Sequence, residues 1–253
     1  MNVNNIQFQF ETLATLYEDM ANWPFRKDIE RPAVLDRLGN ISGLNILDFG
    51  CGSGHYSRLL KSQGAARVVG YDVAGGMLQY AKTREQAEHQ GIEYVSDLTG
   101  LTGQFDLVLA VYVLPYASTR TDLINMVKSM VILLRPGGRL LTLPLNPDYA
   151  SEPSYYISYG FQLTSDTPHQ DGTEVYLRLL FGDEHTDITA WYWSRDTLNH
   201  ALHQSGLSRI QWHTPYPKHR IVSSITSLEA YLQRPHTMLV DCYYQGDHGA
   251  CSN

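Results

Sequence analysis

Apolar positions along the chain follow two rhythms. Phe8, Phe10, Leu13, Leu16 and Tyr17 recur at helical spacing and predict a helix over 7–20, which Trp23-Pro24-Phe25 breaks. Glu30 to Leu38 reads as a second helix, ended near Gly39-Asn40. Short apolar runs follow: Ile46–Phe49, Arg67–Asp72, Gly91–Asp97, Gln104–Ala110 and Leu140–Pro144. They predict strands. Helical patterns begin between them at His55, at Val73 and at Thr121, the last running to Leu134 before Arg135-Pro136-Gly137-Gly138-Arg139 stops it. Strands and helices in alternation predict a doubly wound, mostly parallel sheet. Gln104–Ala110 is apolar almost throughout, which suits the centre of such a sheet.

The pattern changes after Leu145. Tyr149, Tyr155, Tyr156, Tyr159, Phe161 and Tyr176 crowd one stretch. Val175–Phe181 and Asp187–Trp193 read as a hairpin with Gly182-Asp183-Glu184 at its turn. Residues 145–193 are therefore expected to be an aromatic-rich β-hairpin insertion after the fifth strand. It would be a lid that forms much of an acceptor pocket, or else an ordinary apolar cover or a dimer contact. Ser194 is a fitting N-cap for a helix running to Gly206. Ser208–His213 and Thr237–Tyr244 complete a seven-stranded sheet, with a short helix over Ser223–Leu232 between them. We expect one domain over 1–253, with a helical cover at 1–44 and a frayed tail at 246–253.

Composition narrows the class of partner. Hydrophobic residues make up 43% and charged ones 18%, as in a soluble globular chain. The net charge is -7 and no basic cluster interrupts it, so nucleic acid is not an expected partner. No apolar run is long enough to span a bilayer, and the N-terminal residues lack the regions of a signal peptide. Three cysteines, at 51, 242 and 251, make no disulfide framework, so a cytoplasmic location is expected. His200 and His203 lack further ligands, so no metal is expected.

The chemistry centres on Asp48-Phe49-Gly50-Cys51-Gly52-Ser53-Gly54, a glycine turn between a strand and a helix. A dinucleotide fingerprint would place its last glycine where His55 stands. The spacing Asp-x-Gly-x-Gly-x-Gly instead resembles the first motif of the class I S-adenosylmethionine-dependent methyltransferases. Asp72 ends the second strand about twenty residues on, where a carboxylate can accept both ribose hydroxyls. The run Leu134-Arg135-Pro136-Gly137-Gly138-Arg139 before an apolar strand is also typical of the family. Short pieces such as Asn146-Pro147-Asp148, Tyr159-Gly160-Phe161 and Trp191-Tyr192-Trp193-Ser194 are similar to small-molecule members, among them the N-methyltransferases of azapteridine (toxoflavin-type) biosynthesis.

That resemblance implies S-adenosyl-L-methionine as cofactor, with a Rossmann-like Asp48, Gly50, Cys51 and Gly52 turn cradling it. Asp72 and Val73 would meet the ribose, and Met77 the adenine face, unless Met77 is ordinary core. Asp97 would accept from the adenine amino group and the Leu98 N–H would meet a ring nitrogen, unless Asp97 only caps a turn. Ala110 belongs to the same set. Arg26 would pair with the methionine carboxylate with help from Tyr17; otherwise it is a surface arginine and Tyr17 an interhelical staple. Tyr112 and Tyr116, at the switch point beyond the fourth strand, and His185 are candidate catalytic helpers. Leu114-Pro115-Tyr116 lacks the polar residue and second proline of a base-methylase box.

The implied activity is methyl transfer by in-line displacement to a small, heteroaromatic natural-product acceptor, with N-methylation and an azapteridine-like ring favoured. O- or C-methylation of another metabolite, a protein or nucleic-acid methyltransferase, and a non-catalytic cofactor-binding module are the alternatives. The sequence leaves monomer and homodimer equally open.

Overall fold

The computed structural model describes residues 9–216 and 228–246. Its main sheet has seven strands in the order β3-β2-β1-β4-β5-β10-β9. These are β1 Asn45–Phe49, β2 Arg67–Tyr71, β3 Glu93–Val95, β4 Phe105–Val111, β5 Leu134–Leu143, β9 Leu207–His213 and β10 Leu239–Tyr244. β1 pairs in parallel with β2 and β4, and only β10 runs against its neighbours. The chain order reverses between β1 and β4, so a crevice opens at their carboxyl ends.

Helices cover both faces. α2 Arg31–Leu38, α3 His55–Ser62 and α4 Gly75–Glu88 pack a core of Val34, Ile46, Leu60, Val68, Leu78 and Leu107. On the opposite face α5 Arg120–Val131 and α6 Arg195–Gln204 enclose Leu47, Phe105, Val108, Leu123, Leu140 and Leu198. β4 is buried on both sides, which explains its nearly unbroken apolar run. Ser194 caps α6, as expected, and Thr119 caps α5.

The structure corrects several expected boundaries. The first helix is shorter: α1 spans Ala14–Met20, a turn precedes it, and a π-helical turn, Arg26–Glu30, leads into α2. The Pro136-Gly137-Gly138 run is not a stop before β5 but an irregular start to it. Phe105 pairs with Leu134, and regular pairing resumes at Leu107 with Arg139. Gly137, at φ +79°, absorbs the extra residues. β10 begins at Leu239, because Thr237 is held only by a lone bridge to Leu145.

The insertion holds three strands where two are expected: β6 Phe161–Thr164, β7 Glu174–Phe181 and β8 Glu184–Trp191. β6 is four residues long, too short for its alternation to stand out from the surrounding aromatics. Gln9 closes the free edge of β8. Its side-chain amide donates to Thr189 O (3.3 Å) and accepts from Thr189 N (2.9 Å). The short helix α7 occupies Glu229–Gln233. The remainder of its expected range, at 223–227, and the tail beyond 246 lie outside the described residues. Among the described residues, no helix is long and apolar enough to cross a membrane.

Candidate functional site

A cavity of about 390 Å³ occupies the crevice at the carboxyl ends of β1, β2 and β4. Its floor is the glycine turn. Gly50, Gly52 and Gly54 all have positive φ, a conformation glycine adopts without strain. A Cβ on Gly50 would lie 2.7 Å from Val113 Cγ2, so glycine also lets the segment leaving β4 come close. The Gly50 and Cys51 amides donate to Tyr71 O at 2.7 and 2.8 Å. Asp72 completes the brace: its carboxylate accepts from Gly52 N (2.7 Å) and Ala74 N (2.9 Å). Burial pushes its pKa up, and these amides pull it back.

Asp48 lies behind the turn, 2% exposed, and accepts from Ser57 Oγ at 2.6 Å. Burial pushes its pKa up to about 7; the charge of Asp72 adds to this, and the Ser57 bond opposes it. Cys51 is a buried free thiol whose pKa burial raises. Met77 is buried, lines the cavity and packs with the N-terminal aromatic core. Val73 lines the cavity beside Asp72.

The roof comes from the N-terminal segment. Phe10 and Tyr17 line the cavity, and Phe10 meets Tyr116 edge-on at 5.0 Å between ring centres. Glu18 latches α1 to the floor: it accepts from Ser53 Oγ (2.9 Å) and pairs with Arg58 (2.5 Å). Gly76 leaves room for the roof, since a Cβ there would lie 1.8 Å from Glu11 O.

Charge collects at one end of the cavity. Arg26 sits between the rings of Tyr17 and Tyr112, at 5.8 and 5.1 Å from their centres. Its Nε is buried, with no hydrogen-bond partner among the described residues. Glu30 is 1% exposed and accepts from the hydroxyls of Tyr56 (3.1 Å) and Tyr112. Burial pushes its pKa up, while Arg26 and the two hydroxyls oppose the shift. Tyr112 stands in the left-handed region (φ +57°), which costs a residue with a Cβ about 1 kcal/mol. This turn at the exit of β4 carries its ring back toward Glu30. Burial pushes the pKa of Tyr112 and Tyr116 well above the ordinary tyrosine value, so both are hydroxyl donors at neutral pH.

The structure gathers Tyr17, Arg26, Asp48, Gly50, Cys51, Gly52, Asp72, Val73, Met77, Tyr112 and Tyr116 around this one cavity. Four expected site residues lie elsewhere. Asp97 is exposed and accepts from its neighbour Thr99, through N (3.0 Å) and Oγ1 (2.9 Å). Leu98 is half-buried against the α5 side of the sheet. Ala110 is fully buried inside β4. His185 is exposed on β8, 4.0 Å from Asp187 Oδ2. The insertion behaves differently from a lid that walls a pocket, for no residue of 145–193 lines the cavity. Its Tyr156 and Phe161 stack at 4.9 Å and pack with Phe25, Tyr231 and His236. His236 then stacks on Tyr112 at 5.5 Å, so the insertion buttresses the site from behind. Glu30, His55, Tyr56, Asn125, Met126 and Ser129 line the cavity without a sequence signal that marks them out. Among the described residues, no group of three or more His, Cys, Asp or Glu side chains could hold a metal ion.

Comparison with known proteins agrees with this geometry. Residues 46–138 match the family model described as a methyltransferase domain. A demethylmenaquinone methyltransferase of Lactococcus lactis is 30% identical over 152 residues, 56% of this chain and 59% of that protein. The chain spans about half the length of the curated relatives it matches. A methyltransferase from Mesorhizobium loti, described as S-adenosylmethionine-dependent, aligns with a TM-score of 0.61 at 22% identity, over 88% of this chain and 99% of that one. The structure of DhpI in complex with SAM and HEP aligns with a TM-score of 0.62 at 20% identity, over 95% and 96%. Similar in sequence to that family model over 46–138 and in fold over most of its length, the chain has the fold of these S-adenosylmethionine-dependent methyltransferases.

Proposed function

We propose that the protein is an S-adenosylmethionine-dependent methyltransferase acting on a small molecule within the 390 Å³ cavity. One observation carries this reading. Asp72 at the end of β2 and Arg26, whose buried Nε has no partner among the described residues, line the same cavity. That donor and acceptor set fits a nucleoside joined to an amino acid: Asp72 for the ribose hydroxyls, Gly50 and Gly52 for close backbone approach, and Arg26 for a carboxylate. When bound, the cofactor supplies an electrophilic methyl on a sulfonium.

The protein's own part is alignment and exclusion of water. Phe10, Tyr17 and Tyr116 close the cavity from above, and the left-handed turn at Tyr112 fixes one wall. The tyrosine hydroxyls stay protonated at neutral pH; Tyr112 donates to Glu30 and Tyr17 and Tyr116 share one hydrogen bond, which leaves one hydroxyl of that pair to orient an acceptor by donating. The Phe and Tyr side chains in the wall favour a flat heteroaromatic acceptor, and a ring nitrogen with a free lone pair needs no base. N-methylation of an azapteridine-like compound is therefore our first choice. The quinone-pathway names of the curated relatives favour a second, C- or O-methylation of a quinol-type ring. The acidic balance argues against nucleic acid, and the buried free thiols of Cys51 and Cys242 suit the reducing cytoplasm.

Calorimetry with S-adenosylhomocysteine tests the cofactor site. Asp72→Ala should weaken binding at least tenfold, and unchanged affinity would refute the assignment. Mass spectrometry after incubation with S-adenosylmethionine, azapteridines and quinols then reads the acceptor class as a gain of one methyl group.

A further inference from the structure

Arg26 and Glu30 are four residues apart on one π-helical turn, and both line the cavity. Residues at this spacing share a helix face, with Cβ atoms roughly 5–6 Å apart. Among the described residues the two form no ion pair within 4.0 Å; Glu30 is buried, and Arg26 is partly exposed with its Nε buried and without a hydrogen-bond partner. Arg26 Nε and the remaining lone pairs of Glu30 are therefore open to a ligand carrying the complementary charges. Glu30 is held in place from two sides. Tyr56 from α3 reaches its Oε1 and Tyr112 from the exit of β4 reaches its Oε2, leaving each oxygen a further lone pair. The other two carboxylates that line the cavity are already engaged, Asp48 by Ser57 and Asp72 by the Gly52 and Ala74 amides.

We propose that Arg26 and Glu30 form a clamp for a zwitterionic α-amino acid group, with Glu30 binding the α-ammonium while Arg26 takes the α-carboxylate. The clamp rests on the cofactor reading above and extends it, because it identifies the side chain that recognises the amino group. It also makes the site selective: an adenosine thioether with a truncated or deaminated side chain leaves the Glu30 carboxylate without a cationic donor from the ligand. Tyr56 and Tyr112 act as positioning residues that hold the carboxylate toward the ligand.

Calorimetry of the whole chain with two probes tests the clamp, using S-adenosylhomocysteine and its desamino analogue, in which hydrogen replaces the α-amino group. A charge-assisted hydrogen bond is worth about 1.5–3 kcal/mol, so the wild type should prefer S-adenosylhomocysteine by roughly 10- to 100-fold. Glu30→Gln keeps the shape and one of the two accepted hydroxyl bonds, the amide NH2 donating to the other hydroxyl. It should bring S-adenosylhomocysteine down to the affinity of the desamino analogue, itself changed less than about twofold. Equal wild-type affinity for the two probes overturns the clamp with no variant required, which covers a Glu30→Gln that fails to fold. An equal loss for both probes in Glu30→Gln also overturns it. If the wild type binds neither probe, the cofactor reading falls and takes the clamp with it.

Discussion

Replacing Gly76 with alanine separates the cavity roof from the sheet beneath it. Gly76 lies in the first turn of α4, where alanine should favour the helix by about 1 kcal/mol. The new Cβ, however, would stand 1.8 Å from Glu11 O and 2.8 Å from Glu11 C. Carbon and carbonyl oxygen seldom approach below about 3.3 Å, so the two backbones must part by roughly 1.5 Å. α4 cannot give way, because Met77, Leu78 and Ala81 anchor it in two cores. The N-terminal segment must move. With it go the burial of Phe10, worth about 2–3 kcal/mol, and its edge contacts with Tyr17 and Tyr116, worth about 0.5–1.5 kcal/mol each. The roof should therefore lose about 3 kcal/mol of local stability while the sheet loses none. Hydrogen exchange reads this directly: amides over 9–21 should exchange about 100-fold faster, and those of β1 and β4 at the wild-type rate. Unchanged exchange over 9–21 would refute the close packing of Glu11 on Gly76. An equal acceleration throughout would refute the idea that the roof opens on its own.

Three further predictions concern the floor and the buttress. At Gly54 (φ +80°) a Cβ would lie 2.3 Å from the Tyr94 hydroxyl, so Gly54→Ala should destabilise by roughly 2–4 kcal/mol. Adding Tyr94→Val should recover the steric part in denaturant titrations; no recovery would locate the whole cost in the backbone. His236 is held by burial, and secondarily by the charge of Arg26, at a pKa of about 3, against about 6.5 when unfolded. From pH ~6.5 down to about 3 the unfolded chain binds a proton that the folded chain refuses, so this group makes stability fall with falling pH. His236→Gln should remove that component from melting curves across pH 4–7, and a variant that keeps the wild-type acid sensitivity would reject it. Asp48 acts with the opposite sign. Its folded pKa is raised, so its contribution is full below pH ~4 and disappears as pH rises through about 7, and Asp48→Asn should abolish that loss between pH ~4 and about 7.

The sheet was legible because burial on both faces writes unbroken apolar runs, as in β4, and because Gly50, Gly52 and Gly54 have a local conformational reason to be glycine. Asp72 was legible for the same local reason, standing at the end of a strand. Glu30 was not. On the sequence it opens a polar helix turn, and only the fold brings Tyr56 and Tyr112 onto it from distant segments. The insertion's aromatics announced burial but not direction: Tyr156 and Phe161 face a second core, whereas Phe10, outside that stretch, faces the cavity. His185 and Asp97 show the reverse error. Both are chemically capable side chains whose exposure nothing in their neighbours betrays.

Gln9 has a consequence beyond the cavity. Its amide stands in for the next strand of a sheet, answering the N–H and C=O of Thr189 at the outer edge of β8. An uncovered strand edge is a template for pairing with another chain. The segment that shelters the cavity thus also keeps the insertion from self-association. A version of the protein trimmed past Gln9 would present that edge to every neighbouring copy, and its solubility would then depend on concentration.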